Sequence, residues 1–307
     1  MATQSVKIAK GTIELAGNLF TPADFDENTT YPALVVVHPG GGVKEQTAGL
    51  YAAKLAEAGF VTVAYDASFQ GESGGEPHFL EDPAARVSDI NAVVDFLQAQ
   101  SFVDPERIGV WGVCAGGGYA VAATKVDARI KAVGTVSAVN IGSAWRKGWD
   151  GNGRDADVLP TRDAASAQRQ VEVTTKAEPF TVGYVPTEVT PEVPRDLAEA
   201  SDYYLTPRAQ YPTAENKYLL GLSIPAIIGF DAFALVEDLL TQPVLAIAGS
   251  EAGSLWHSTE LYTRAKGDKK LLVVDGYAHM DFYDGPEATT LAAAEAAKFF
   301  GEKLAAK

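Results

Sequence analysis

Six short runs of apolar, β-favouring residues recur along the chain, at 33–37, 60–65, 107–113, 130–137, 243–248 and 270–274, with turn-forming residues around them. They are apolar almost throughout rather than alternating, the pattern of strands buried on both faces. Between most of them the period changes. At 47–58, 84–99 and 287–303 apolar residues return every three or four positions, as on one face of a helix. A strand covered on both faces needs helices on both sides, so the alternation predicts an α/β fold with a doubly wound, mostly parallel sheet. The first segment, from Val6 to Leu19, alternates imperfectly and contains Gly11 and Gly17, which predicts an antiparallel hairpin at the sheet edge.

From 140 to 222 the regular pattern fails. Gly, Asp and Pro are frequent there, and Trp145, Trp149, Tyr203, Tyr204 and Tyr211 punctuate a polar background. A connection of this length inside a compact domain serves a function or is disordered, and five large aromatics argue that it packs. The expected organisation is a core of residues 1–139 and 223–307 with an inserted cap or lid at 140–222. Residues 224–240 then read as an apolar helix interrupted by Gly229 and Asp231.

Composition excludes several functions. Of 307 residues 47% are hydrophobic, enough for a large core, and the formal charge of -15 would repel phosphates from most of the surface. Nucleic acid and anionic membranes are therefore not expected partners. No apolar run reaches the ~18 residues of a membrane span, and the first ten residues do not form a signal peptide, so a soluble, cytoplasmic protein is expected. A single cysteine, Cys114, rules out an internal disulfide and a cysteine-based metal site.

That cysteine has an unusual setting. The stretch RIGVWGVCAGGGYA at 107–120 is a β-type run, then Gly112-x-Cys114-x-Gly116, then the small residues of a tightly packed helix. In the G-x-S-x-G pattern the nucleophile sits on a strained strand-to-helix turn, and the flanking glycines remove Cβ atoms that would clash with neighbouring backbone. Here sulfur replaces oxygen. A helix N-terminus just beyond Cys114 favours a thiolate, and the Ala115 N–H is a natural donor to an oxyanion. A lone cysteine is ordinarily a packing residue; the turn around this one argues for reactivity. Neither a G-x-G-x-x-G nor a G-x-x-x-x-G-K-[ST] motif occurs.

Two further stretches complete a candidate site. VVVHPGGG at 35–42 ends the first parallel strand in a glycine turn, where Gly40 and Gly41 are the expected second oxyanion donors because substrate oxygen must approach main chain closely. His38 itself is expected to be structural. LLVVDGYAH at 271–279 places His279 just past the last strand, where it could act as the base for Cys114. His78 and His257 are expected to be solvated, with His257 near the rim of the site. An acid to orient His279 should follow the strand at 243–248, but Gly253 stands where Asp is expected. Glu251 is the nearest carboxylate, with Asp281, Asp284 or a Cys-His dyad as alternatives.

The turn HPGGG at 38–42, YDASFQGESGG at 65–75, VDPERIG at 103–109, GVCAGGGYA at 112–120 and GYAHMDFYD at 276–284 together resemble a family within the α/β-hydrolases, related to dienelactone hydrolases and to fungal polyketide transferases that release acyl chains from a synthase. The resemblance spans most of the chain. It implies an α/β-hydrolase fold with a cysteine nucleophile and a histidine base, while Gly253 departs from the Asp common in relatives. Asp66 and the loop at 71–75 are expected to hold structure near the site.

The expected activity is hydrolysis of an activated ester, lactone or thioester through an acyl-Cys114 intermediate, on a small-molecule substrate and with no metal or organic cofactor. Acyl transfer to an acceptor other than water is the alternative within enzymes. A non-catalytic binding protein that keeps the hydrolase pocket is the alternative outside them. A homodimer is compatible with the sequence.

Overall fold

The computed structural model describes residues 1–306. The chain opens with strands β1 (Ala2–Lys10), β2 (Ile13–Thr21) and β3 (Tyr31–Val37), then helix α1 (Thr47–Glu57), β4 (Val61–Tyr65) and α2 (Pro83–Gln98). β5 (Val103–Val113), α3 (Ala115–Thr124) and β6 (Ile130–Val136) follow. A long connection then carries α4 (Ile141–Lys147), a 3-10 turn at Asp155–Val158, α5 (Leu159–Thr175), β7 (Thr181–Val182), α6 (Arg195–Leu205), β8 (Tyr218–Leu219), α7 (Leu220–Ile228) and α8 (Val236–Leu239). The chain ends with β9 (Val244–Gly249), α9 (Leu255–Arg264), β10 (Lys269–Val274), α10 (Asp281–Asp284) and α11 (Pro286–Lys303).

Eight strands form one sheet in the order β1-β2-β4-β3-β5-β6-β9-β10. β2 pairs antiparallel with both β1 and β4, and every other pairing is parallel. The doubly wound, mostly parallel sheet and its antiparallel edge hairpin are thus as the hydrophobic periods predict. The period-2 geometry of β3 shows why. Leu34 and Val36 face the side covered by Tyr51 and Leu55 of α1 and Phe300 of α11, while Val35 and Val37 face Ile90 and Val94 of α2 and Ala120 of α3. All four side chains are fully buried, each contributing on the order of 2 kcal/mol.

Two elements differ from expectation. β5 begins at Val103 rather than 107, because Val103 pairs with Tyr31 before a break in register that resumes at Ile108 with Ala33. The polar residues at 104–106 lie within that irregularity. The helix expected at 224–240 is two short ones. Asp231 intervenes, its Oδ1 accepting from Phe233 N at 2.9 Å and from Asn140 Nδ2 at 2.7 Å, and Leu235 takes a left-handed φ of 60°.

The parallel strands β3, β5, β6, β9 and β10 all deliver their carboxyl ends to one edge, where open α/β sheets place their ligands. The β6–β9 connection spans that edge. None of the helices among the described residues is long and apolar enough to cross a membrane.

Candidate active site

Cys114 stands between β5 and α3 with φ 55° and ψ −124°, a backbone conformation that costs an L-residue about 1–3 kcal/mol. Neighbouring glycines make it feasible. A Cβ at Gly112 would lie 2.3 Å from Gly116 O, and one at Gly116 would lie 2.4 Å from Val37 O. The turn is tied down on both sides: Cys114 N donates to Val136 O at 3.1 Å, and Cys114 O accepts from Gly117 N and Val139 N at 2.9 Å. The side chain is partly exposed and lines a cavity of about 550 Å³.

The HPGGG turn lies across from the elbow, a Cβ at Gly40 falling 3.6 Å from Ala115 Cβ. Gly40 and Ala115 both line the cavity. Gly41 does not: at φ +70° it lies beneath the Tyr184 ring, which a Cβ there would meet at 2.4 Å. Buried Arg86 holds this turn from behind, donating from Nη2 to His38 O at 2.6 Å and Pro39 O at 3.4 Å. Glu81 faces Arg86 at 3.8 Å and accepts from Tyr119 at 2.6 Å and from Gln70. His38 is fully buried and accepts from Ala67 N through Nε2 at 3.1 Å. Burial, with the Arg86 charge, holds its imidazole well below the ordinary pKa, so the residue is structural. Asp66 likewise serves the loops, accepting from Lys44 N, Glu72 N and Lys44 Nζ, each at 2.8 Å.

His279 follows β10 after a turn at Gly276 and also lines the cavity. Its Nδ1 stands 2.6 Å from Ser254 Oγ and its Nε2 3.4 Å from the Tyr283 hydroxyl, four residues on. Burial lowers its pKa to about 4, against an opposing pull from the Asp196 charge. Cys114 moves the other way. Burial raises the thiol to about 11 and Asp196 adds to the rise, while the Tyr283 hydroxyl, the Ala115 N–H and the Arg86 charge act against it. Near neutral pH the two groups therefore rest as thiol and neutral imidazole rather than as an ion pair.

The ring partners of His279 are thus hydroxyl groups, and the three carboxylates expected near it have other partners. Glu251 is 52% exposed and pairs with Arg195 at 2.7 Å. Asp281 accepts from Ala278 N at 2.7 Å and Asp284 pairs with Arg208 at 2.6 Å. At Gly253, where the fold leads one to expect Asp, an added Cβ would meet Asp150 Oδ1 at 2.5 Å and the Trp149 indole at 2.8 Å. The space is taken by the β6–β9 connection. From it comes Asp196, 3% exposed, whose Oδ2 accepts from Gly253 N and Trp149 Nε1 at 2.8 Å each and whose Oδ1 lies 3.4 Å from His279 N. Asp196, Ser254 and Tyr283 are the residues that sequence reasoning missed. Tyr283 had a signal, the i, i+4 spacing from His279; Asp196 had none, since its position depends on packing across 57 residues to Gly253. His257 also departs from expectation: it is fully buried, stacked on Trp256 at 3.5 Å, its pKa lowered by burial to about 3.

Comparisons with known proteins agree with this architecture. A model described as the dienelactone hydrolase family matches residues 15–138. The uncharacterised protein YcjY of Escherichia coli K12 is 50% identical over 294 residues, 95% of each chain. The crystal structure of hypothetical protein PA2218 from Pseudomonas aeruginosa superposes with a TM-score of 0.91 at 32% identity, covering 98% of this chain and 94% of that one. The α/β hydrolase GrgF from Penicillium sp. sh18 shares the fold over 100% of both chains, with a TM-score of 0.82 at 21% identity. A shorter match, 35% identical over 102 residues, joins 33% of this chain to 32% of the thiohydrolase aneE of Aspergillus aculeatus. Residues 15–138 carry a dienelactone hydrolase family domain on an α/β-hydrolase fold, and with 50% identity over 95% of each chain the protein belongs to one family with YcjY.

Proposed function

We propose that the protein hydrolyses an activated ester, lactone or thioester through a covalent acyl-Cys114 intermediate. The observation that carries this reading is the strained conformation of Cys114 on the wall of a cavity that His279 also lines. The sulfur attacks the acyl carbonyl carbon as His279 accepts the thiol proton, so that a C–S bond forms and the carbonyl electron pair moves onto oxygen. Main-chain N–H groups of Ala115 and Gly40 hold that oxyanion, Gly40 being better placed than Gly41 because it faces the cavity. The C–O or C–S bond to the leaving group then breaks, and His279 returns the proton to it. In the second step His279 takes a proton from water, the water oxygen attacks the acyl carbon, and the acid leaves as the thiol is restored.

Because both partners start uncharged, proton transfer accompanies attack rather than preceding it. Tyr283 orients the thiol, and the β6–β9 connection serves as the cap. The thiohydrolase name of aneE supports a thioester among the substrates. Acyl transfer to another acceptor is the second reading, favoured by the aromatic side chains of Trp149, Tyr184, Tyr204 and Tyr218 that line the cavity and could pack against an acceptor other than water.

Intact-mass spectrometry after exposure to an aryl ester and a thioester tests the nucleophile. One acyl group should appear on the wild type and none on Cys114→Ala, with turnover falling at least about 1,000-fold. Undiminished turnover by Cys114→Ala would sink the proposal. Product yield that depends on an added alcohol, amine or thiol would favour transfer over hydrolysis.

A further inference from the structure

Asp196 is the one Asp, Glu, Lys or Arg among the described residues that line the cavity; besides Cys114 and His279, the other lining side chains are apolar, aromatic or hydroxyl-bearing. Its three contacts, Trp149 Nε1, Gly253 N and His279 N, are all N–H donors, the partners that a carboxylate accepts. The cation next to it in sequence does not neutralise it. Arg195 turns outward to Glu199 and Glu251, at 2.8 and 2.7 Å. His279, with a pKa near 4, supplies no charge at neutral pH. Asp196 thus places a buried negative charge in the cavity wall, within electrostatic reach of the Cys114 sulfur where the acyl group must sit; the opposing Arg86 charge, which also reaches that sulfur, faces Glu81 behind the HPGGG turn and does not line the cavity.

A second carboxylate brought into that space meets the charge in a low-dielectric surrounding, with no lysine or arginine lining the cavity to receive it. An uncharged chain meets Val139, Ile141, Trp145, Val185 and Leu197 instead. The volume of about 550 Å³ suits a ligand of drug-like size. We propose that the cavity takes uncharged, apolar acyl groups and turns away acyl groups that end in a carboxylate, and that Asp196 sets this choice. The proposal names the substrate class of the acyl-Cys114 reaction and so rests on that reading.

Calorimetric titration with two matched methyl ketones, 2-octanone and 7-oxooctanoate, tests it at pH 7. The ketones bind without acyl transfer, and repeating the titrations in Cys114→Ala removes any addition of the thiol. Wild-type protein should bind the neutral ketone at least about 30-fold more tightly, and Asp196→Asn should narrow that ratio at least about tenfold by removing the charge at nearly constant shape. The ratio is read rather than a rate, because Asp196 also faces His279. Asp196→Ser serves if the amide variant does not fold. Equal binding of the two ketones, no binding of 2-octanone, or a ratio unchanged in the Asp196 variant would each overturn the proposal. An acyl adduct on Cys114 alongside equal ketone binding would defeat the selection rule alone. A strong preference for 2-octanone without any adduct would defeat the catalytic reading alone.

Discussion

The carboxyl edge of the sheet and the β6–β9 connection form opposite walls of one cavity by different means. At the sheet edge the backbone does the placing. Cys114 is held at φ 55° by three main-chain hydrogen bonds, and the N–H groups of Gly40 and Ala115 come from loops that the strands deliver. In the connection, side chains do it: Trp149 and Asp196 meet over Gly253, and Tyr184 packs on Gly41. The first arrangement leaves little room for sequence change, whereas the second can vary in shape and charge while the edge stays intact. Substitutions at the edge should therefore abolish the fold or the reaction, and substitutions in the connection should change which substrate is taken.

The largest effect is expected where the elbow is tightest. In Gly116→Val the new Cβ would lie 2.4 Å from Val37 O and 2.6 Å from His38 O, both main-chain atoms of a fully buried strand end. Neither can retreat without moving β3, so the cost should reach about 3 kcal/mol or more. Thermal unfolding should show a fall of roughly 10 °C, or no folded protein, with loss of activity. In the connection, Val189→Ser at a position 54% exposed should shift the midpoint by less than about 2 °C. Comparable shifts in the two variants would break the contrast.

Legibility in the sequence divides along the same line. The parallel strands, the hairpin and the positions of Cys114, Gly40, Ala115 and His279 follow from patterns a few residues long, because a buried strand and a tight turn are each specified by neighbours in sequence. Residues 140–222 have no such pattern. The two-residue strands β7 and β8 are joined across a long stretch of chain, by Thr181 pairing with Leu219 and Val182 with Tyr218, and nothing local foretells that pairing. The surroundings of Glu251, which pairs with Arg195 away from the cavity lining, are as little foretold, because Arg195 comes from the same connection. Gly253 recorded that a side chain was missing; the atoms of Asp150 and Trp149 that fill its space come from a distant part of the chain.

His279 and Tyr283 join the two regions, and there the effect should be intermediate. His279 must be unprotonated to take a proton, and burial holds its pKa at about 4 instead of the ordinary 6.5. Acid therefore inactivates late: kcat/KM should stay level as the pH falls through 6.5 and decline only as it nears 4. A decline centred near 6.5 would contradict the buried, neutral imidazole. In Tyr283→Phe the thiol loses a hydroxyl that opposes its high pKa, so alkylation by iodoacetamide should require higher pH than in the wild type. Loss of a hydrogen bond to a developing thiolate should lower kcat/KM about 10-fold or more, mainly through kcat. A purely structural role for Tyr283 would leave the pH dependence of alkylation where it was.

The smallest effects distinguish Ser254 from Glu251 as partners of the base. Ser254 Oγ is 2.6 Å from His279 Nδ1, and its loss in Ser254→Ala removes one neutral hydrogen bond, about 1 kcal/mol, or roughly fivefold in kcat/KM. Glu251 lies outside the cavity in an ion pair whose two side chains are 57% and 52% exposed, and pairs of that kind contribute little. Glu251→Gln should therefore remain within about twofold of the wild type under the same assay. The comparison is sharpest in the double variant. If Ser254 alone orients the imidazole, adding Glu251→Gln to Ser254→Ala should change the rate by no more than the about twofold of the single variant, because effects at uncoupled sites add. A tenfold loss from Glu251→Gln, with Ser254→Ala silent, would make Glu251 rather than Ser254 the partner of the base; both follow β9, so the β6–β9 connection would keep its own contact with His279, through Asp196.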